Sequence, residues 1–361
     1  MSEASSSYYG PDAYRADAIP PLPAPPRKRE RLGEDLLSFG DYAGIDPDQQ
    51  EDAEFVQVED RQDKRFYESE RWWWDHQRIR FLKSQVGISI VLMAFPVLYF
   101  FFLFASPFYL SGITLQFLYD AEVNNFFATL AFLIIMGGGF IGAGIIVVYT
   151  CQPVMNGLIR FIAWLLTPFH QLVARRANHY MQNRCSAFNR QTGMVSFAQG
   201  KRKPPFEAPF IEFDGYLERV IQRGGIFYRL IFVHRYTGKS FHNTSFSSFL
   251  SHTHDVHAEW DMLQRYMDVS QPLPDIPRLE PFRHLDPTTA EHDRRTGRDP
   301  RYWRDLDLEA WKQEEKVARH RARIDYPWQQ KRCQLTPQIG QVEMLDYRAQ
   351  RERVPNETTA A

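Results

Sequence analysis

Two long apolar stretches stand out in a chain that is otherwise polar. They cover residues 86–105 and 126–149, and neither contains Asp, Glu, Lys, Arg or His. A helix of roughly 20 mostly apolar residues is long enough to cross the hydrocarbon core of a bilayer. The pattern therefore predicts a two-helix transmembrane hairpin with large polar flanks.

The charges around these stretches predict the orientation of the hairpin. The connecting loop, residues 106–125, has no Lys or Arg and carries Asp120 and Glu122. Basic residues instead crowd the outer ends of the two stretches, at Arg78, Arg80, Lys83, Arg160, Arg175 and Arg176. Since short basic segments stay in the cytoplasm, we expect a multi-pass membrane protein with cytoplasmic N- and C-termini and a loop that faces out.

A tryptophan-rich segment precedes the first stretch. Indole rings and long basic side chains both favour the headgroup layer, because each combines an apolar body with a polar end. We therefore predict an interfacial helix at residues 71–84. Its membrane-anchoring side chains would be Trp72, Trp73, Trp74, Arg78, Arg80 and Lys83.

The second stretch contains two pairs of small residues spaced four apart, Gly138 with Gly142 and Gly139 with Ala143. This spacing lets two helix backbones come close together. We expect these residues to pack the two helices of one hairpin against each other, and a homodimer formed through the second span is the alternative. In the first stretch, Pro96 is expected to bend the helix.

The segment after the second stretch, residues 153–176, is apolar but is interrupted by Arg160, Pro168 and His170. A third span at residues 154–174 would need a tight turn at Pro153, and Arg160 would cost about 2.5 to 3.5 kcal/mol if it reached the bilayer centre. An amphipathic helix in the cytoplasmic interface avoids that cost. The sequence favours this interfacial helix and leaves the third span open.

Residues 1–70 are rich in Ser, Pro, Asp and Glu. Such a composition buries too little apolar surface to offset the entropy of folding, so we predict a disordered arm. Prolines at positions 20 to 26 are followed by a basic cluster, Arg27, Lys28, Arg29 and Arg31. The favoured interpretation is a solvated linker, with a polyproline ligand or a headgroup contact as alternatives.

Between residues 181 and 269 the pattern changes to short strands separated by turns. Strands are predicted at residues 185–188, 194–197, 210–213, 216–221, 226–235 and 240–246. The strand at 226–235 is apolar on both faces, which is typical of a central strand. A helix at 253–268 follows, with apolar residues along one face. Strands followed by one covering helix predict a small cytoplasmic α+β domain of the pleckstrin-homology type, and hence an α+β membrane protein.

Residues 270–361 begin with several prolines and remain polar, so we predict an extended, disordered tail with one helix near residues 305–324. The apolar stripe of that helix is thin. It consists of Leu306, Leu308, Trp311 and Val317. Such a helix is expected to dock on another surface or to fold on binding.

One histidine-rich cluster is a candidate for chemistry. His252, His254, Asp255 and His257 could supply ligands for zinc, and the run resembles the ligand motif of metallo-β-lactamase-type hydrolases, although its spacing departs from that motif. The favoured interpretation is that Thr253 or Asp255 caps the helix and that the histidines are solvent-exposed residues of its first turn. We therefore predict neither a metal nor another cofactor.

The basic loop formed by Lys201, Arg202 and Lys203 is a candidate for binding anionic lipid headgroups. The chain carries 43 Lys and Arg against 44 Asp and Glu, a balance that gives no support to nucleic-acid binding. The spans lack the ionisable residues of an ion path, which argues against a transporter. No phosphate-binding loop or nucleophile motif is present, so no enzymatic activity is predicted.

Four segments resemble an uncharacterised family of proteobacterial two-pass membrane proteins. They are Phe-Asn-Arg-Gln-Thr-Gly at 188–193, Phe-Tyr-Arg-Leu-Ile-Phe-Val-His-Arg at 227–235, Trp-Asp-Met-Leu-Gln-Arg-Tyr-Met-Asp at 260–268 and Arg-Asp-Pro-Arg-Tyr-Trp at 298–303. Members of that family are often encoded beside type VI secretion effectors. The resemblance thus implies an immunity or accessory protein, and it carries over no functional residues.

Together these features predict a non-enzymatic inner-membrane protein whose cytoplasmic domain binds a protein partner. That partner would be a type VI secretion effector, a toxin that the protein neutralises or helps to deliver. A membrane-anchored lipid-sensing scaffold that uses residues 201–203 is one alternative. A metal-dependent hydrolase that uses the cluster at 252–257 is another.

Overall fold

The computed structural model describes residues 8–26, 33–36, 39–62, 73–82, 86–166, 185–199, 203–242 and 244–353. The chain divides into two compact units. The helical unit is Ser84–Gln182, and the mixed unit combines Met1–Lys83 with Asn183–Ala361. The helical unit is therefore an insertion in the sequence of the mixed unit.

Strands and helices both occur in the described residues, which gives a mixed α+β protein. The strands are β1 (Leu22–Pro23), β2 (Glu34–Leu36), β3 (Arg78–Leu82), β4 (Cys185–Asn189), β5 (Met194–Phe197), β6 (Phe206–Pro209), β7 (Phe213–Gln222), β8 (Gly225–His234), β9 (Ser240–Phe241) and β10 (Ile339–Val342). The α-helices are α1 (Gln50–Gln62), α2 (Val86–Asp120), α3 (Asn125–Leu166), α4 (Thr253–Met267), α5 (Pro287–Thr296), α6 (Tyr302–Asp305), α7 (Leu308–Gln313), α8 (Glu315–Asp325) and α9 (Met344–Arg353).

In the helical unit, α2 is longer than the sequence predicted. It continues through most of the expected loop at 106–125, and only four residues separate its end from the start of α3. The polar residues of this stretch fit a helix because their hydroxyl groups donate to backbone carbonyls of the preceding turn. Ser111 donates to Phe108 over 2.9 Å, and Thr114 donates to Leu110 over 2.9 Å.

Helix α3 passes through Pro153 without a break and ends at Leu166. The prediction of a separate interfacial helix at 153–176 is therefore wrong over its described part, since that part continues α3. The turn at Pro153 that a third span would need is also missing. Pro153 lacks the backbone N–H for one helical hydrogen bond, but the helix continues on both sides of it.

Both long helices expose their apolar side chains. The segments Val97–Asp120 and Asn125–Thr150 are long and apolar enough to cross a membrane, and only 11% and 6% of them are buried within the structure. Phe102 is 69% exposed and Val148 is 77% exposed. A core helix of a water-soluble protein would be largely covered, whereas helices that are apolar all round are typical of membrane spans.

The mixed unit contains two four-stranded antiparallel sheets. The first sheet has the order β3-β4-β5-β6 and the second has the order β2-β7-β8-β9. The predicted hairpin of β4 and β5 is confirmed, and β8 lies between two neighbours as expected. Two predicted strands are wrong in part: Phe210–Glu212 forms a 3-10 turn, and only Ser240–Phe241 of the strand at 240–246 is extended.

An aromatic core joins the two sheets to α4. The ring of Phe188 in the first sheet lies 5.3 Å from that of Phe232 in the second, measured between ring centres. Trp260 of α4 is 1% exposed and lies against Gly215, where an added Cβ would meet the indole at 3.1 Å. The predicted covering helix is thus present, and a glycine in β7 lets it approach the sheet closely.

The N-terminal arm is folded where the structure describes it, contrary to the predicted disorder. Leu22, Leu36 and Phe39 are almost fully buried in the main core. The indole N–H of Trp260 donates to the Leu36 carbonyl over 3.2 Å. The prediction failed because these apolar residues are sparse in the sequence and complete a core built by distant segments. The basic cluster at 27–31 lies outside the described residues.

The C-terminal tail is folded as well, and it docks on the N-terminal arm. The three helices α6, α7 and α8 replace the single predicted helix at 305–324. Trp303 and Trp311 form a buried cluster with Ala53 of α1. The Gln57 side chain of α1 donates to the carbonyls of Trp303 and Leu306 over 3.0 and 2.8 Å. Leu306, Leu308 and Trp311 of the thin apolar stripe thus find their partner within the same chain, whereas Val317 is 57% exposed.

Candidate functional site

Arg78 and Arg80, two of the predicted membrane anchors, belong to a sheet. They lie in β3, which pairs with β4, so the predicted interfacial helix at 71–84 is wrong over residues 78–82. Ile79 and Phe81 alternate with the arginines and are 0% and 6% exposed. An alternation with a period of two is that of a strand with one buried face.

The tryptophans of this segment also contribute to the mixed unit. Trp74 is half-buried, and its ring lies 5.4 Å from the ring of Phe246. The guanidinium of Arg278 lies 5.5 Å from the centre of the Trp74 ring. Trp74 therefore packs within the mixed unit, while Trp73 is 37% exposed. Two of the predicted anchors lie outside the described residues, Trp72 and Lys83.

The helical unit is inserted between two strands that pair directly. Leu82, the last residue of β3, pairs with Cys185, the first residue of β4. The chain thus leaves the first sheet and returns to it at the same end of that sheet. We call this end the insertion edge; β3 and β5 end here, and β4 and β6 begin here.

The predicted basic loop starts from the insertion edge, because it connects β5 to β6. Lys203 is exposed there, and Lys201 and Arg202 lie outside the described residues. A further cation, Lys239, was not predicted: its ammonium group lies 3.2 Å from the Gln199 side chain and 4.7 Å from the centre of the Phe206 ring. No sequence signal connects it to this loop, since the fold alone brings the two segments together.

Two of the four predicted small residues pack the helical unit together. An added Cβ on Gly139 would lie 2.8 Å from the Cβ of Pro107 in α2, so the helices touch closely there. Ala143 is 4% exposed. Gly138 and Gly142 have open space around them instead, with no described atom within 4 Å of an added Cβ. Within the described residues, Gly139 thus lies at a close approach to α2 and Ala143 is buried, whereas Gly138 and Gly142 face open space.

The histidine cluster is assembled from two helices. The rings of His252 and His254 are stacked with centres 5.0 Å apart. His320 of α8 adds a third imidazole, 5.6 Å from that of His254. The sequence cluster missed His320 and included His257, whose ring instead stacks on Trp328 at 5.5 Å. The predicted exposure of His257 is wrong, because the side chain is half-buried. Burial, followed by the positive charge of Lys331, lowers the pKa of His257 to about 4.

A permanent cation lies within this cluster. The guanidinium of Arg323 is 3.3 Å from the Asp255 carboxylate and 3.3 Å from Nδ1 of His320. A second cation bound at the same place would be repelled, and no group of three His, Cys, Asp or Glu in the described part of the chain is arranged to hold a metal. The predicted cap is also wrong: His252 is the N-cap residue of α4, without a capping side-chain hydrogen bond.

Glu259, one turn after this cluster, is a half-buried acid. Burial and the nearby Asp255 raise the pKa of Glu259 to about 8. Its Oε2 atom is buried and has no hydrogen-bond partner in the described structure. Glu259 is therefore mostly protonated at neutral pH, because a buried carboxylate without a partner is costly.

Arg190, which no local sequence pattern singles out, makes an extensive set of hydrogen bonds in the mixed unit. Arg190 follows β4 and is 0% exposed, and its Nε lies 3.1 Å from the Asp286 carboxylate. Its guanidinium also donates to the carbonyls of Tyr266, Asp268 and Gln271 at the end of α4. Burial opposes the charged guanidinium, and Asp286 more than offsets this and raises the pKa of Arg190. Arg190 thus links the β4–β5 turn to the end of α4 and the start of α5.

The comparisons with known proteins identify no relative: no family model, curated protein or solved structure matches the chain. The class of protein is therefore defined by the structure. It is a mixed α+β chain in which two apolar helices, each long enough to cross a membrane, are inserted between paired strands.

Proposed function

We propose that this chain is a two-span protein of the bacterial inner membrane, with a mixed unit that serves as a non-enzymatic platform for a protein partner. The observation that carries the proposal is the position of the hairpin between Leu82 and Cys185, which pair with each other. The helices inserted there expose their apolar surface. An exposed apolar surface of this extent calls for a lipid environment.

The pairing of β3 with β4 limits the number of membrane crossings. Paired strands lie on the same side of a membrane, so the chain between them must cross an even number of times. Two spans meet this condition, whereas a third span at 154–174 would separate β4 from β3. Because basic residues flank the spans at their outer ends, both termini belong in the cytoplasm.

The strand order of the mixed unit supports a pleckstrin-homology-like arrangement. Four strands, β3 to β6, form one antiparallel sheet; β7 to β9 form most of the second, and α4 follows and covers the core. The added strand β2 and the docked tail, residues 270–353, extend this arrangement. A fold of this kind assigns no activity by itself.

The charged clusters of the mixed unit favour binding over catalysis. Arg190 and Asp286 hold secondary-structure elements together, and Arg323 occupies the space among the histidines. These charged groups stabilise the mixed unit. We therefore assign the function to the helical hairpin as an anchor and to the surface of the mixed unit as a binding site. From the family resemblance, we propose a type VI secretion effector as the partner, which the protein neutralises or helps to deliver.

The test is to purify the tagged full-length protein from its native membrane in mild detergent and to identify bound proteins by mass spectrometry. An unrelated tagged two-span protein serves as the control. A secretion effector in stoichiometric amount, together with sensitivity of a deletion strain to attack by sister cells, would support the proposal. Full resistance of the deletion strain would contradict the immunity role.

A lipid-sensing scaffold is the second candidate, and the insertion edge favours it. Lys203 and Lys239 lie at or next to the edge from which the chain enters the helical unit. We expect the double variant Lys203→Gln, Lys239→Gln to retain less anionic lipid during purification than the matched control Arg295→Gln in α5. Equal retention would count against a lipid-sensing role.

A further inference from the structure

The β7–β8 hairpin extends beyond the described residues of the other strands of its sheet. Among the described residues, β2 pairs with β7 at 215–217 and β9 pairs with β8 at 232–233. The pairs from Glu218 with Arg229 to Gln222 with Gly225 continue as a two-stranded ribbon, which we call the arm, residues 218–229. Among the described residues, the arm makes one more β-sheet contact, an isolated bridge between Tyr228 and Leu250.

The tip of the arm is apolar on both faces. Ile221 pairs with Ile226 on one face, and these side chains are 74% and 43% exposed. On the other face the half-buried Val220 pairs with the half-buried Phe227, whose ring lies 6.3 Å from that of the half-exposed Phe249. Neighbouring residues of a strand point to opposite faces. A partner that docks on one side would cover one of these faces, whereas an apolar medium around the tip covers both.

The charge of the arm is basic. Arg219 and Arg223 are exposed and have no carboxylate partner among the described residues, and Arg229 forms an ion pair with Glu218. The arm thus carries three arginines against one glutamate. Apolar tips with adjacent arginines match an anionic membrane surface, since the arginines meet the phosphates while the tip enters the acyl boundary.

We propose that the arm inserts its tip into the interface of an anionic lipid membrane. Ile221 and Ile226 would lie at the acyl boundary, and Arg219 and Arg223 would contact lipid phosphates. This contact is separate from the helical unit and adds a second attachment of the mixed unit to lipid. It rests on the proposed membrane location of the chain.

The test uses the full-length protein in vesicles of phosphatidylethanolamine and phosphatidylglycerol. A photoreactive benzoylphenylalanine replaces Ile221 in one sample, Phe101 of α2 in a second and Val317 of α8 in a third. Phe101 is 65% exposed and reports on the anchor; Val317 is 57% exposed and is the apolar control on the mixed unit. We expect lipid adducts at Ile221 and Phe101 and background at Val317.

The possible results separate the two proposals. Lipid adducts at Phe101 with background at Ile221 would overturn the arm proposal and leave the anchor intact. Background at Phe101 would overturn the anchor itself. In native membranes, a protein adduct at Ile221 without a lipid adduct would overturn insertion in favour of a protein partner.

The arginines provide an independent check, with the photoreactive residue at Ile226. Each basic residue near an anionic surface contributes about fivefold in affinity, so Arg219→Gln with Arg223→Gln should weaken arm binding roughly thirtyfold. Labelling of lipid should fall in the double variant and stay unchanged in the matched control Arg295→Gln. Undiminished labelling in the double variant would overturn the role of charge.

Discussion

Replacing Arg190 by methionine should destabilise the mixed unit strongly. The substitution Arg190→Met keeps an extended apolar side chain but removes the guanidinium. The Asp286 carboxylate, at 0% exposure, would then remain buried without its cation. The carbonyls of Tyr266 and Asp268 would lose their donors at the same time.

The size of the effect follows from these contacts. Removing one partner of a buried ion pair costs about 3 to 5 kcal/mol. Asp286 keeps hydrogen bonds from the Tyr9 hydroxyl at 2.7 Å and from the Thr289 backbone at 3.1 Å, so we expect the lower end of that range. For a unit of this size each kcal/mol lowers Tm by about 2 to 4 °C, which gives a decrease of roughly 6 to 12 °C.

The assay is thermal unfolding of the full-length protein in lipid nanodiscs, followed by tryptophan fluorescence. Trp260 and Trp303 are buried and report on the mixed unit. The control is Arg294→Met, because Arg294 and Glu291 form an exposed pair that is worth about 0.5 kcal/mol or less.

A double variant tests the reason for the effect. If the unpaired carboxylate is the cause, Arg190→Met combined with Asp286→Leu should recover part of the lost stability. A Tm of Arg190→Met equal to that of Arg294→Met would refute the reasoning.

Two further predictions concern the helical unit and Glu259. Gly139→Leu should separate α2 from α3, because its Cβ would clash with Pro107. The control Gly138→Leu places its side chain in open space. Cross-linking between cysteines placed on the two helices should therefore fall in Gly139→Leu and stay unchanged in Gly138→Leu. The folded-state pKa of Glu259 is about 8, above its ordinary value of 4.5, so the folded state holds an extra proton between these values and loses stability as pH rises through this window. Glu259→Gln should remove that loss, so that at pH values above about 8 the variant has a higher denaturant midpoint than the wild type. The exposed control Glu291→Gln should keep the pH dependence of the wild type. A wild-type midpoint that stays constant across the window would contradict the assignment.

Local sequence patterns were enough for elements whose partners are close in the chain. The turn at 189–193 between two short apolar runs predicted the β4–β5 hairpin correctly. The apolar spacing of residues 253–268 predicted α4 to within one residue. Two long apolar runs identified the helices of the helical unit, although the hydroxyl-bearing stretch after residue 105 concealed the true length of α2.

The elements that failed depend on partners far away in the sequence. Ile79 and Phe81 alternate as in a strand, but the nearby span suggested an interfacial helix, and their partner strand follows only after the entire helical unit. Arg190 lies 96 residues before Asp286, and no local pattern connects them. The histidine cluster could be recognised in part, yet Arg323, which decides its chemistry, comes from another helix.

The most direct test is to determine on which side of the membrane the α2–α3 turn and the mixed unit lie. In a variant without its three native cysteines, single cysteines would replace Glu122, in the turn between α2 and α3, or Asp299, which is exposed on the mixed unit. A membrane-impermeant maleimide is then applied to cells with a permeable outer membrane and an intact inner membrane. A two-span hairpin with a cytoplasmic mixed unit predicts labelling of Glu122→Cys alone in intact cells, and labelling of Asp299→Cys only after the inner membrane is broken. Labelling of Asp299→Cys in cells with an intact inner membrane, or of neither position, would contradict a two-span hairpin with a cytoplasmic mixed unit.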